Sequence, residues 1–175
     1  MFKKIVLVLV VVVLLFGIYV ATRPTRWRVE RSAVLPAASS VLYPKVADFQ
    51  AWDAWSPWAK LDPGMKVDFS GTPGTVGSTY HWVGNDKVGE GRMTILELIP
   101  DRLVRIKLHF VKPWEQVSTT EFSFVPEGAG TKVTWAMSGE NDLVGKAFAV
   151  FLDMDKVIGP DFEKGLAKLK AETSR

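Results

Sequence analysis

Residues 103–110 read Leu-Val-Arg-Ile-Lys-Leu-His-Phe, a stretch in which apolar and polar side chains alternate almost one by one. Alternation with a period of two is typical of a strand that buries one face and turns the other to water. Ile106, Leu108 and Phe110 therefore share the buried face, and the basic residues between them share the other. This stretch predicts a half-buried strand of an antiparallel sheet.

The same alternation recurs before and after this stretch. Gly, Pro, Asn or Asp bounds the segments, and the connections are short, which is typical of an antiparallel meander. The predicted strands cover residues 27–33, 65–69, 78–83, 88–99, 103–110, 117–125 and 131–138.

After the last predicted strand the pattern changes to that of a helix. Asn141-Asp142 predicts the start of a helical region, which Gly159-Pro160 is expected to divide. In its second half Phe162, Leu166 and Leu169 fall on one face. A curved antiparallel sheet with one apolar face needs a cover, and only this helix is long enough. We therefore predict an α+β fold, with the sheet wrapped on a long C-terminal helix.

Sorting the strands by their alternation yields the side chains that face this helix. Many are rings or Met, which suits an adaptable apolar cavity, although a solid core has a similar composition. With the tryptophan-rich segment and the helix, the predicted cavity residues are Trp52, Trp55, Tyr80, Trp82, Met93, Ile95, Ile106, Leu108, Phe110, Phe122, Phe124, Trp135, Met137, Phe162 and Leu166.

The tryptophan-rich segment, residues 49–58, holds three of the seven tryptophans of the chain. Trp52, Trp55 and Trp58 are spaced by three residues and lie close to one helical stripe. Two interpretations stay open for them. They pack over the open end of the sheet, or they form a gate at the mouth of a cavity.

The N-terminal segment carries no charge from Ile5 to Thr22 and is dominated by Val, Leu and Ile. Residues 5–21 span about 25 Å as a helix, close to the thickness of a hydrocarbon core of roughly 30 Å. We predict a membrane anchor and linker over residues 1–25 and one domain over residues 26–175. A cleaved signal peptide and a buried core helix are the alternatives. Basic residues flank both ends of the apolar segment, and we expect the N-terminus in the cytoplasm and the domain outside.

Composition excludes several classes of function. The net charge is +3, with acidic and basic residues interleaved, which excludes an extensive nucleic-acid footprint. The chain has no cysteine, so disulfides, thiolate nucleophiles and cysteine metal sites are excluded. Asp153 and Asp155 have no His or Glu at metal-ligand spacing, and His81 and His109 fall on the outer face. We predict neither a metal nor a cofactor.

Several short strings resemble one known superfamily. They lie at residues 52–58, 74–77, 80–85, 88–93 and 154–162. With the order of elements, they resemble the START/Bet v 1-like helix-grip superfamily, in particular its polyketide cyclase/dehydrase-like (SRPBCC) branch, over residues 28–173. The resemblance implies a large hydrophobic cavity between the sheet and the C-terminal helix. It implies no catalytic set, because the polar cavity residues of the cyclases differ between subfamilies.

Three functions are consistent with these patterns. The leading one is a membrane-anchored binding protein for a hydrophobic small molecule or lipid, because the inner face is apolar and the chain carries an anchor through residues 5–21. The second is a cyclase or dehydratase acting on an aromatic or polyketide-type substrate, with Tyr80, Asp153 or Asp155 as acid–base groups. The third is a ligand-free structural module of the cell envelope. The scarcity of titratable groups on the inner face counts against the enzyme.

Overall fold

A computed structural model describes residues 1–173 and contains one seven-stranded sheet within them. All neighbouring strands pair antiparallel, in the order β1-β7-β6-β5-β4-β3-β2. The predicted meander from β2 to β7 is confirmed. The strands are β1 (Arg26–Leu35), β2 (Lys66–Ser70), β3 (Thr79–Val83), β4 (Glu90–Ile99), β5 (Leu103–Lys112), β6 (Gln116–Glu127) and β7 (Gly130–Glu140).

Five α-helices accompany the sheet in the described residues. They are α1 (Phe2–Ala21), α2 (Ser39–Ala47), α3 (Trp52–Trp55), α4 (Leu143–Ala149) and α5 (Met154–Thr173). A short 3₁₀ turn, Phe49–Ala51, joins α2 to α3. The long C-terminal helix predicted to cover the sheet is α5, and the helix-grip fold is confirmed.

The predicted division of the C-terminal helical region at Gly159-Pro160 is wrong. α5 continues through Pro160, and the break lies at residues 150–153, between α4 and α5. A proline removes one backbone hydrogen bond, which a packed helix can tolerate. Gly159 lies directly against the Arg31 side chain of β1, and a Cβ there would require the guanidinium to shift. The predicted cap is confirmed, because the Asp142 carboxylate accepts a hydrogen bond from the Gly145 N–H at 2.7 Å.

α5 packs on the concave face of the sheet through rings and leucines. The Phe162 ring stacks on that of Trp135, with 4.2 Å between centroids and 8° between planes. One turn further, Gly165 leaves room for the same indole, because a Cβ at Gly165 would lie 2.5 Å from Cζ3 of Trp135. Leu166 and Leu169 are buried on the same side of the helix. Full burial of each such side chain stabilises the fold by roughly 1.5–3 kcal/mol.

The register brings three features to one end of the strands. Arg26 at the start of β1 pairs with Glu140 at the end of β7. The β5–β6 turn, residues 113–115, and the β3–β4 turn, residues 84–89, lie at this same end. Because α1 precedes β1 here, we call it the anchor end.

The N-terminal helix α1 is long and apolar enough to cross a membrane or to serve as a signal sequence, and it is nearly all exposed. The first strand begins at Arg26, the predicted start of the domain. Residues 174 and 175 of the predicted domain lie outside the described part of the chain.

Candidate ligand-binding site

The predicted cavity residues converge on the concave face of the sheet and belong to one connected apolar cluster. Tyr80, Leu108 and Phe110 are partly buried at the edge of this cluster. The others are buried: Trp52, Trp55, Trp82, Met93, Ile95, Ile106, Phe122, Phe124, Trp135, Met137, Phe162 and Leu166.

The space directly between the sheet and α5 is occupied by the protein's own rings. Trp135 lies at its centre, stacked on Phe162 and 4.7 Å from the ring of Phe122. Trp58 adds an edge-on contact with Trp135 at 5.7 Å. Rings at these separations and angles are in direct contact, as in a packed core.

The tryptophan-rich segment packs over the sheet, as the first of its two interpretations has it. Trp52 and Trp55 are buried, and their centroids lie 4.7 Å apart. Both indole N–H groups donate to backbone carbonyls near the end of α2, Trp52 to Val46 at 2.9 Å and Trp55 to Lys45 at 3.0 Å. A buried indole usually finds such an acceptor. The two hydrogen bonds tie α3 to α2 above the concave face.

An open recess of about 460 Å³ lies beside this core, at the β2 edge of the sheet. Val67 of β2 contributes to its wall and pairs in register with Trp82 of β3, so the recess adjoins the predicted cavity residues. Its volume falls within the range of roughly 300–1,000 Å³ typical of ligand pockets. The full lining is Asp53, Ala59, Lys60, Asp62, Pro63, Met65 and Val67.

Sequence patterns missed this recess. The alternation over 65–69 places Val67 on the inner face, which was a usable signal. Residues 59–63, by contrast, form a loop without a periodic pattern. Only the long-range pairing of β2 with β3 brings this loop over the sheet.

The Tyr80 phenol lies close enough to Asp53, a residue of the recess lining, to be affected by its charge. Burial, and then the negative charge of Asp53, raise the pKa of the Tyr80 phenol above its usual value. The phenol therefore stays protonated at neutral pH and can donate a hydrogen bond.

The two aspartates of the C-terminal region have local structural partners. The carboxylate of Asp155 accepts two hydrogen bonds from Arg31, at 2.7 and 2.8 Å, which lowers the pKa of Asp155. Asp153 accepts from the backbone N–H of Asp155 at the start of α5, and one of its oxygens lies 3.7 Å from Nζ of Lys156. A general acid needs a raised pKa, so these contacts do not favour such a role for Asp155.

Several buried polar side-chain groups have no hydrogen-bond partner among residues 1–173. On the concave face or at its rim they are the indole N–H groups of Trp27 and Trp135 and the hydroxyls of Ser78 and Ser118. Buried polar groups are nearly always paired, so each is a candidate contact for a polar atom of a ligand. Within the same residues, no three His, Asp or Glu side chains come together in a way that could hold a metal ion.

Comparisons with solved structures give the same architecture. Mll3558 of Rhizobium loti matches with a TM-score of 0.62 at 20% identity, over 84% of this chain and 96% of its own. CV1439 of Chromobacterium violaceum matches with a TM-score of 0.58 at 18% identity, over 85% and 96%. Ara h 8.0201 matches with a TM-score of 0.59 at 10% identity, over 84% and 97%. At these identities the likeness concerns the fold alone.

The comparison by sequence is more specific. None of the curated proteins matches the chain significantly. The family model described as polyketide cyclase / dehydrase and lipid transport matches residues 26–173, which is nearly the whole chain after α1 and its linker. The chain belongs to the polyketide cyclase/dehydrase and lipid transport family.

Proposed function

We propose that this protein is a membrane-anchored binding protein for a hydrophobic small molecule or lipid. The ligand lies in the recess beside the apolar core, at the β2 edge of the concave face, and α1 holds the domain at the membrane outside the cytoplasm. Membership in a family described by lipid transport supports the class of ligand. The length and apolar character of α1 support the anchor.

The observation that carries the proposal is the recess of about 460 Å³ next to the apolar cluster. Met65 and Val67 give it an apolar wall, and Val67 pairs in register with Trp82 of the apolar cluster. The rest of the lining includes the polar side chains of Asp53, Lys60 and Asp62. Desolvation of a ligand there contributes about 25 cal/mol for each Å² of apolar surface removed from water. The Tyr80 phenol, whose pKa the recess residue Asp53 helps to raise, lies beside the recess and is the proposed donor for a polar atom of the ligand.

The recess also lies near the membrane in this arrangement. Lys66 at the start of β2 pairs with Val83, the last residue before the β3–β4 turn. The recess therefore lies toward the anchor end of the strands, at the edge of the sheet opposite β1. A lipid leaving the bilayer has a short path to it.

The test compares two valines that are exposed on different faces. Val67→Trp fills the recess, whereas Val34→Trp adds the same ring to the outer face of β1, and the two valines are 38% and 43% exposed. The full chain is purified from its own host in detergent, and bound compounds are identified by native mass spectrometry and lipid extraction. We expect an apolar compound with the wild type and Val34→Trp, and occupancy reduced by about tenfold, or 1.4 kcal/mol, in Val67→Trp.

Equal occupancy of the ligand in Val67→Trp and Val34→Trp would show that the ligand does not bind in the recess. The absence of any bound compound, with no shift in melting temperature across a library of lipids and aromatic compounds, would overturn ligand binding itself.

One observation favours the ligand-free structural module as a second candidate. The stack of Trp135 and Phe162 already fills the space between the sheet and α5, as in a solid core. The cyclase or dehydratase alternative relies on Tyr80 with Asp153 or Asp155, and the lowered pKa of Asp155 gives it no support.

A further inference from the structure

A large apolar patch lies exposed at the anchor end. Phe151 is 77% exposed and Trp114, in the β5–β6 turn, is 71% exposed. The rings of Trp114 and Phe148 are in contact, with 6.0 Å between centroids, so the turn and the α4 region form one surface. We call this surface the α4 patch, consisting of Trp114, Leu143, Val144, Phe148, Phe151 and Leu152.

The α4 patch follows a helical pattern. Leu143, Ala147 and Phe151 are spaced by four residues, as are Val144, Phe148 and Leu152. Such spacing gives one apolar stripe along α4 and the turn that follows it. Soluble proteins rarely expose a contiguous surface of this kind unless it contacts a membrane or another protein.

The α4 patch is continuous with the anchor helix. The rings of Phe16 on α1 and Phe151 are 6.2 Å apart. Phe16 lies five residues before the end of α1, which at 1.5 Å per residue is about 7.5 Å along the helix axis. Amphipathic helices at membrane surfaces bury their apolar face by a similar 5–10 Å. If α1 crosses the bilayer with its C-terminal end at the headgroups, a residue beside Phe16 lies at the depth of the headgroup–acyl boundary.

The charges near the α4 patch are few and partly paired. Arg26 is 3.1 Å from the carboxylate of Glu140, and Lys112 is 2.7 Å from that of Glu90. Lys146 on α4 and Arg23, just after α1, have no acidic partner among residues 1–173. Exposed rings beside a few basic groups fit the headgroup–acyl boundary of a bilayer.

We propose that the α4 patch inserts into the same membrane leaflet from which α1 emerges, so that the domain lies with the anchor end of its sheet on the bilayer. This inference rests on the membrane anchor of the proposed function. It adds a second contact that fixes the orientation of the domain, which a single helix and a short linker would leave free.

The test uses the absence of cysteine in the chain, which allows single nitroxide labels. Phe151→Cys and Val144→Cys report on the α4 patch, Leu9→Cys on the middle of α1, and Val76→Cys on the β2–β3 turn at the opposite end of the sheet. All four positions are exposed, so the substitutions leave the core intact. The full chain is placed in phosphatidylcholine nanodiscs with one copy each, and collisions of each label with oxygen and with a water-soluble nickel chelate are measured.

Oxygen concentrates in lipid and the nickel chelate stays in water. We expect the labels at 151, 144 and 9 to collide readily with oxygen and about tenfold less with nickel than the label at 76. Nickel collisions at 151 and 144 equal to those at 76, with label 9 still protected, would overturn the insertion and leave the anchor intact. Nickel access at label 9 would overturn the anchor and the insertion together. Labels at 151 and 144 reached by neither reagent would indicate a protein contact and would also overturn the insertion.

Discussion

Arg31, a single residue on the concave face, helps to fix the position of α5 on the sheet. It lies on the side of β1 that faces the helix, and its guanidinium binds the carboxylates of Asp155 and Glu163. Gly159 lies between these two acids, and a Cβ there would require the guanidinium of Arg31 to shift. The two ion pairs therefore clamp α5 to the first strand, while Gly159 permits the close approach.

The first prediction concerns the pH dependence of this clamp. The pKa of Asp155 is lower in the folded state than in the unfolded chain, so its contribution to stability is present above the unfolded value near 3.9 and is lost as pH falls through the folded pKa. We expect Asp155→Asn to have a lower urea midpoint than the wild type at pH 7. The difference should shrink as pH falls below the unfolded pKa, because protonation of Asp155 removes the charge that binds Arg31. Urea unfolding of the full chain in detergent, followed by tryptophan fluorescence, measures it.

Asp86→Asn, in the exposed β3–β4 turn, is the control and should leave the midpoint unchanged over the same range of pH. A difference for Asp155→Asn that stays constant as pH falls from 7 to 2.5 would contradict an electrostatic origin.

At the scale of elements, α5 acts as the cover of the sheet. The Phe162 ring is buried and stacked on Trp135, and Leu166 and Leu169 continue the contact toward the end of the helix. The neighbouring Gly165 lets the helix backbone approach the indole. α5 is therefore closely packed against the sheet.

The second prediction follows from this fit. Phe162→Ala should lower the free energy of unfolding by about 3–5 kcal/mol, because it removes a buried ring and leaves a cavity. Lys168→Ala, at an exposed position of the same helix, should change it by less than about 0.5 kcal/mol. Urea titration of both variants gives the two values. A loss for Phe162→Ala no larger than that for Lys168→Ala would mean that α5 does not close the core.

At the scale of the whole molecule, the register determines which end of the domain adjoins α1, the helix proposed as the membrane anchor. The start of β1, the end of β7 and the β5–β6 turn share the anchor end, whereas the β2–β3 turn with Val76 lies at the other. Under the proposed anchoring by α1, the β2–β3 turn faces the surrounding solution.

The third prediction concerns the side of the membrane. With the N-terminus in the cytoplasm, Val76→Cys should react with a membrane-impermeant maleimide in intact host cells, and Phe2→Cys should react only after permeabilisation. The Phe2→Cys substitution removes no charge, so Lys3 and Lys4, which are expected to direct insertion, remain in place. Gel-shift labelling measures both. The reverse pattern would place the domain in the cytoplasm, and labelling of both positions in intact cells would contradict a single-pass anchor.

The sequence by itself determined the sheet and its cover. Alternation is a local property, so the pattern over 103–110 and its repeats predicted the strands and the inner face before any contact was known. The helical stripe of Phe162, Leu166 and Leu169 predicted the cover in the same way. The apolar run that precedes Thr22 predicted α1. The division predicted at Gly159-Pro160 is wrong, because α5 is held to β1 on both sides of Pro160, by the ion pairs of Arg31 with Asp155 and Glu163.

Only the tertiary structure decided what the inner face contains. A cavity and a solid core share one composition, and the stacking of Trp135 on Phe162 depends on the distance between two elements far apart in the chain. The recess combines α3, a loop without periodic pattern and the edge strand β2, so no local pattern encodes it. The α4 patch needs the register that brings Trp114 to Phe148. In each case the deciding quantity is a separation in space, which residues distant in sequence acquire only on folding.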